Sequence, residues 1–357
     1  MVIISNMSDY GSYNIVSTLD FNENASSVYT NNIISNTSSI FTSTSNGKVY
    51  RIDSEGNKIM VFNEKTNENI QNIKTLDENN ICVSYDNVMK ILDLRTNTNV
   101  FEKKFKERVH SMDTHLSKLA LGFELTGPDA PIRLFDIRMG LEKSQIDIVQ
   151  SSHHDDITSL YIHRGDPNML LSGSVDGTCN LYDLSKYNEE ILDEEVLEEV
   201  ITLDSVHKCK FINKINKRIG ILTHTEQFGT YNVMSESEDK IMYGDLREPM
   251  GCKYIIDFDD DFIYGGNIDE SKMSIYGYTT KGTLKKNIDI MGIHGNEVIR
   301  DFKLVNHVLY TCGEDGKVNV IKMSVDEKEP LKKSKKLKGG LRSKKKSKSD
   351  TSKYTPL

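Results

Sequence analysis

The residues best equipped for chemistry stand in one run, His153-His154-Asp155-Asp156. Two imidazoles beside two carboxylates can move protons or hold a metal ion, because both side-chain types serve as bases and as ligands. The run has no second ligand group at a useful spacing. The other phosphate, metal and nucleophile signatures G-x-x-x-x-G-K, G-x-G-x-x-G, H-E-x-x-H and G-x-S-x-G do not occur. The nearest phrase, Gly313-Glu314-Asp315-Gly316-Lys317, centres on Asp-Gly, as does Asp176-Gly177. Such pairs supply the left-handed backbone of a tight hairpin turn, so Asp176 and Asp315 read as turn residues and not as general acids. No catalytic, cofactor-binding or metal-binding residue is expected, and the chain reads as a non-enzyme.

The elements that would position these residues emerge from internal repetition. In LLSGSVDGTCNLYDL (Leu170 to Leu184) a β-rich run meets the Asp-Gly turn and returns as an alternating run, and LYTCGEDGKVNVIKM (Leu309 to Met323) has the same plan. Five weaker copies begin at Phe41, Ile81, Leu119, Gly220 and Phe262. The residues that end their third strands are Asp53, Asp93, Asp136, Asp183, Asn232, Gly277 and Lys322, which lie 40 to 49 residues apart. A four-stranded propeller blade takes about 40–45 residues, and seven sheets that cannot each bury both faces can close on one another as a ring. His153 and His154 then fall just ahead of one repeat, at the phase of His294 ahead of another, which favours a structural role. The alternating segment Tyr13 to Phe21 is expected to supply the outer strand of the last blade.

Composition bounds the partners. The net charge is −8, yet residues 331–357 hold eleven Lys and Arg against one acid, so that segment carries +10 and the rest −18. A body so acidic repels phosphate backbones, and nucleic acid is expected to meet the basic tail alone. Five scattered cysteines without a C-x-x-C pair argue against a disulfide framework. No stretch of 18 apolar residues and no leader pattern occurs, so neither membrane spanning nor secretion is expected. The expected division is a ring over 1–325, with an acidic loop or helical turn at about 187–199, and a disordered Lys/Ser-rich tail over 326–357.

The repeats resemble the WD-repeat family, in which a blade's third strand ends in Trp-Asp. This chain has no Trp; the matching pairs are Ile52-Asp53, Leu92-Asp93, Phe135-Asp136, Tyr182-Asp183, Tyr231-Asn232, Tyr276-Gly277 and Ile321-Lys322. The succession LSGSVDGTCNLYDLSKYNEE, LTHTEQFGTYNV, FIYGGN and HGNEVIRDFKLVNHVLYTCGEDGKVNVIK is similar to the group that contains WD repeat-containing protein 89 and fungal relatives. The resemblance implies a seven-bladed all-β propeller that binds proteins. It also implies a buried hydrogen-bond chain from a turn Asp through a His to Ser or Thr and the Trp position. Blade four offers Asp176, His153 or His154, Ser172 or Ser174, and Tyr182; blade seven offers Asp315, His294 and Thr311, but Ile321 cannot complete the chain.

The functional expectation is a monomeric, non-enzymatic interaction scaffold of the nucleus, also present in the cytoplasm. Import would use Lys332, Lys333, Lys335 and Lys336 with Lys344, Lys345, Lys346 and Lys348 as a two-part signal for an import receptor. Asp93-Leu94-Arg95 and Asp136-Ile137-Arg138 are similar to the W-D-x-R phrase by which WD-repeat substrate receptors meet the adaptor of cullin ubiquitin ligases. That makes Arg95 and Arg138 candidate partner contacts, against the alternative that each pairs with a rim carboxylate. A third class, ribosome assembly or other RNA-associated work, would place the tail on phosphates.

Overall fold

The computed structural model describes residues 10–22, 27–53, 56–64, 68–139, 145–187, 193–212, 218–234 and 240–325. Seven four-stranded antiparallel sheets follow one another around a ring, formed by residues 30–63, 72–104, 109–153, 157–202, 206–245, 254–291 and 299–325. Blades one to six are simple meanders with strands in chain order from the inside outward. Blade seven takes its outer strand from the opposite end of the chain, Tyr10–Asp20, which runs antiparallel to Lys317–Val325. The segment expected to clasp the last blade therefore does so, beginning three residues earlier than its alternation suggested.

The turns explain why these hairpins form where they do. Gly177 and Gly316 adopt φ of +83° and +72° between the second and third strands of blades four and seven, a region open to glycine at no steric cost. In blade two the same turn uses Asp86 at φ +45°, a residue type that tolerates this conformation better than most.

Burial follows from ring packing. Among the described residues, the buried apolar side chains fall into seven clusters, and each cluster draws on two neighbouring blades. Ile132 and Ile148 of blade three, for example, share a cluster with Leu160 and Tyr182 of blade four. A blade alone would expose both faces, so the core exists only between blades and closure is a condition of stability. The first and last blades meet through Phe21, Ile33, Tyr50, Cys312 and Val318. All five cysteines are free and buried.

In six blades the innermost strand shifts register one or two residues from its start. A bulge rotates the side chains that follow it. Ser159, Lys208, Asp257 and Asp301 stand directly after such shifts and line the central channel.

The acidic segment differs from expectation. Asp193–Val196 forms a 3-10 turn, in keeping with a helical turn there, but Leu197–Thr202 is the outer strand of blade four and not the end of a loop. An outermost strand has one strand neighbour and one face in solvent, so Glu198 and Glu199 are compatible with it. Residues 188–192 lie outside the described residues, as does the tail from 326 onward. Among the described residues, no helix is long and apolar enough to cross a membrane.

Candidate functional site

Blade four brings its candidate residues together in one buried chain. His153 Nδ1 lies 3.1 Å from Asp176 Oδ2 and 2.9 Å from Thr178 Oγ1, while its Nε2 lies 2.6 Å from Ser172 Oγ. An ionised carboxylate only accepts, so Nδ1 carries a proton toward Asp176. Asp176 also accepts from the backbone N–H groups of His154 (2.9 Å) and Thr178 (2.8 Å). Burial opposes the charge on Asp176, but the His153 contact, the Thr178 hydroxyl and the His154 N–H outweigh it and hold the carboxyl far below its ordinary range.

The two histidines and two serines separate by role. His153 is fully buried, whereas the exposed His154 ring reaches Asp129 at 2.8 Å and only its backbone touches Asp176. Ser172 contacts His153, while Ser174 accepts from the Asp176 backbone and donates to the Asp155 carbonyl, fixing the turn. Tyr182 occupies the Trp position, fully buried, with its hydroxyl accepting from Asn180 Nδ2 at 3.1 Å.

Ser172-His153-Asp176 has the connectivity of a hydrolytic triad, nucleophile to base to orienting carboxylate. Ser172 and His153 are each 0% exposed, however, and a serine that no substrate carbon can approach is a staple and not a nucleophile. Among the described residues no group of three or more His, Cys, Asp and Glu is arranged to hold a metal.

Blade seven repeats the plan with a shorter chain. His294 Nδ1 lies 2.8 Å from Asp315 and Nε2 lies 2.8 Å from Thr311 Oγ1. The fully buried Ile321 ends it, because an alkyl side chain has no atom to pass on a hydrogen bond. Gly313 is required beside this histidine, since a Cβ there would stand 2.6 Å from Nδ1.

Two such networks on a seven-bladed ring agree with the comparisons. A WD repeat-containing protein of Saccharomyces cerevisiae is 34% identical over 245 residues, 65% of this chain and 61% of that protein. One of Schizosaccharomyces pombe is 31% identical over 218 residues, 56% and 65% of the two chains. The WD repeat-containing protein 89 homolog of Dictyostelium discoideum is 26% identical over 185 residues, 52% and 47%. The chain is a seven-bladed β-propeller similar to WD-repeat proteins. The matches span somewhat under two thirds of the first two relatives' own lengths. A chain in a crystal structure of the mitotic checkpoint complex superposes with a TM-score of 0.67 at 16% identity, covering 86% of this chain and 91% of that one, and shows the fold alone. No family model matches.

The propeller folds Arg95 and Arg138 back onto their own strands. Arg95 forks onto Asp93 through Nε (3.2 Å) and Nη2 (2.7 Å), and Arg138 onto Asp136 in the same way (3.1 and 2.7 Å). Both arginines remain mostly exposed, at 68% and 75%. Sequence reading missed a third fork, Arg247 on Asp245 at 3.0 and 2.6 Å. Arg247 follows an outer strand, whereas Arg95 and Arg138 follow third strands, so the meander places it at the opposite end of the ring. The fork thus forms wherever Asp-x-Arg leaves a strand.

Sequence reading also missed the central channel. This cavity of about 580 Å³ is lined by the inner strands of all seven blades. Asp113 accepts from Arg164 (2.9 Å) and from the Ile162 backbone of the next blade (2.8 Å), with Lys74 at 3.9 Å. Asp257 pairs with Lys210 (2.5 Å) and Lys208 (3.7 Å). Burial opposes its charge, but the two lysines and the Phe258 N–H bring it down to about 2. Asp301 accepts from the backbone N–H groups of Ile33 in blade one and Phe302. The bulge that exposes each inner-strand position was the available signal, and bulges are not written in residue type.

Proposed function

We propose that this propeller is a rigid protein-interaction scaffold whose partner-binding end is the one formed by the third-to-fourth-strand connections of blades two and three. WD-repeat propellers in general support protein binding. The observation that carries the reading is the company of Arg95 and Arg138. Leu116, in the turn between the first two strands of blade three, is 67% exposed, as is Met139 beside Arg138. In an antiparallel meander, that turn and the third-to-fourth connection lie at the same end. Large apolar side chains bordered by arginines have the composition of interface anchors. The test is quantitative affinity purification of the intact protein beside a Leu116→Asp/Met139→Asp variant. Loss of a partner that is stoichiometric with the intact protein supports the assignment, and an unchanged set of partners removes it.

A narrower reading, a substrate receptor of a cullin-based ubiquitin ligase, is favoured by the position of Arg95 and Arg138 in consecutive blades at this end. Each keeps Nη1 free of the Asp fork, so an adaptor carboxylate has a donor to meet. Replacing both and finding adaptor co-purification unchanged excludes it. Nuclear delivery through Lys332–Lys336 and Lys344–Lys348 belongs to the same proposal, although those residues lie outside the described ones. A fluorescent fusion lacking residues 331–357 is expected to leave the nucleus, and full nuclear retention overturns import by this route.

A further inference from the structure

The propeller's central channel has a charge opposite to that of its body. Among the described residues its lining includes six Lys and Arg against three Asp, in a chain whose residues before the tail total −18. Arg300 is matched by Glu314 at 2.8 Å, which leaves five cations facing three carboxylates. Two carboxylates are already engaged, Asp113 by Arg164 and Asp257 by Lys210. The third, Asp301, spends its oxygens on backbone N–H groups, and burial pushes its carboxyl up, toward the neutral form. Lys303, two residues further along the same strand, has no hydrogen-bond or ion-pair partner among the described residues. Solvent reaches its side chain inside the channel, yet partial desolvation by the channel wall, with repulsion from Lys74, Lys210 and Arg164, lowers the affinity of its amine for a proton despite the attraction of Asp301.

An ammonium without a protein partner that shares the channel with Lys74, Lys210 and Arg164 carries a repulsive cost that water offsets only in part. An anion in the channel offsets more of it. The cations come from different parts of the ring, Lys74 from blade two, Arg164 from blade four, Lys208 and Lys210 from blade five and Lys303 from blade seven. A single carboxylate meets one or two of them, whereas a compact ion with several phosphate groups meets cations on several sides. The volume lies within the range of small-molecule sites, about 300–1,000 Å³.

We propose that the central channel is a binding site for a compact solute carrying two or more phosphate groups, with Lys303, Lys74 and the Lys208/Lys210 pair as its ligands. This site is independent of the scaffold surface at the end of blades two and three.

The test uses the full-length chain and inorganic tripolyphosphate as the probe, followed by calorimetric titration and by thermal unfolding at constant ionic strength. Tripolyphosphate is expected to raise the Tm of the wild type more than sulfate does. Lys303→Gln is expected to weaken binding by roughly tenfold, one charge-assisted contact. In the absence of the probe, the same variant is expected to unfold at a temperature equal to or above that of the wild type, because a repelled cation has been removed. Lys74→Gln, at a half-exposed position, provides a second variant with the same expected loss should Lys303→Gln not fold. A variant with Lys332, Lys333, Lys335 and Lys336 changed to Gln is expected to bind the probe as the wild type does. Equal affinity in the wild type and both channel variants, or loss confined to the tail variant, places the phosphate elsewhere and overturns the proposal, as does the absence of binding at millimolar probe.

Discussion

His153 Nδ1 lies 3.1 Å from Asp176 Oδ2, and this contact ties the entrance of blade four to its central hairpin turn. Removing the carboxylate leaves the backbone N–H groups of His154 and Thr178 without their acceptor and the buried imidazole N–H with Thr178 Oγ1 alone. Asp176→Ala is therefore expected to lower stability by about 1–3 kcal/mol, read by denaturant unfolding. The sign of the pH effect follows from the depressed folded-state pKa of Asp176. Its contribution is complete above the unfolded value of about 3.9 and is lost as pH falls below that toward the folded value. Acid titration of the wild type is expected to show a loss of stability below about pH 4 that is smaller in Asp176→Ala. Equal acid sensitivity of the two proteins contradicts this role.

Phe21 and Gly316 close the ring. The Phe21 N–H donates to the Gly316 carbonyl at 2.8 Å, and the Phe21 ring, 1% exposed, packs edge-on against Tyr50 with centroids 5.0 Å apart. Phe21→Ala is expected to cost about 3–5 kcal/mol, as for a large aromatic taken from a core. Gly316→Ala forces a positive φ on a side chain and sets its Cβ 2.3 Å from the Val28 carbonyl, a backbone atom. At the corresponding turn of blade four, Gly177→Ala meets the Leu203 carbonyl at a looser 3.1 Å. Both carry the strain of about 1–3 kcal/mol from the backbone conformation. Gly316→Ala is expected to cost more, because it also moves the N-terminal segment; equal Tm losses for the two variants remove that added effect.

The ring was legible where residue type and turn chemistry coincide. Asp176-Gly177 and Asp315-Gly316 mark hairpins directly, and the spacing of third-strand ends gives the blade count. The network was legible only in part. The sequence offered both His153 and His154, and nothing local decides between them; their difference lies in whether the ring points into the blade junction or into solvent. Outer strands were harder, as with Leu197–Thr202, because one neighbouring strand imposes little on composition. The channel was not legible at all. Lys74, Lys210 and Lys303 are separated by more than 90 residues, and each looks like an ordinary surface lysine until the ring brings it to a common axis.

Arg95 and Arg138 test whether exposed forks serve a partner. Their bonds join groups already adjacent in the chain, with the guanidinium ends in solvent, and the mostly buried Asp93 and Asp136 carboxylates keep the backbone N–H of the same arginine as a donor, so losing the forks costs the fold little. Arg95→Ala/Arg138→Ala is expected to keep the wild-type Tm and circular dichroism spectrum while losing a partner bound at that end. Arg247→Ala, which removes the same local fork at the other end, is expected to keep that partner. A fall in Tm in the double variant with all partners retained makes the forks structural.

Asp257 separates the channel's stability from its binding. It carries the charge that holds Lys210 at 2.5 Å and Lys208 at 3.7 Å, with little solvent on the carboxylate. Asp257→Asn keeps the shape but leaves two ammonium groups facing a neutral amide. The expected loss is about 3 kcal/mol, at the low end for breaking a buried pair because water reaches the channel. Adding Lys210→Met is expected to recover part of that loss, since the second change removes one of the cations the first left unmatched. With its folded pKa near 2, Asp257 contributes stability above about pH 4 that disappears as pH falls toward 2, and the Asn variant is expected to lack this component. Asp257→Asn also raises the channel's excess of positive charge by one, so tripolyphosphate is expected to bind this less stable variant more tightly than the wild type. A variant that loses stability and affinity together shows instead that Asp257 organises the lysines for the ligand, and a variant that loses neither shows that the pair is too hydrated to matter.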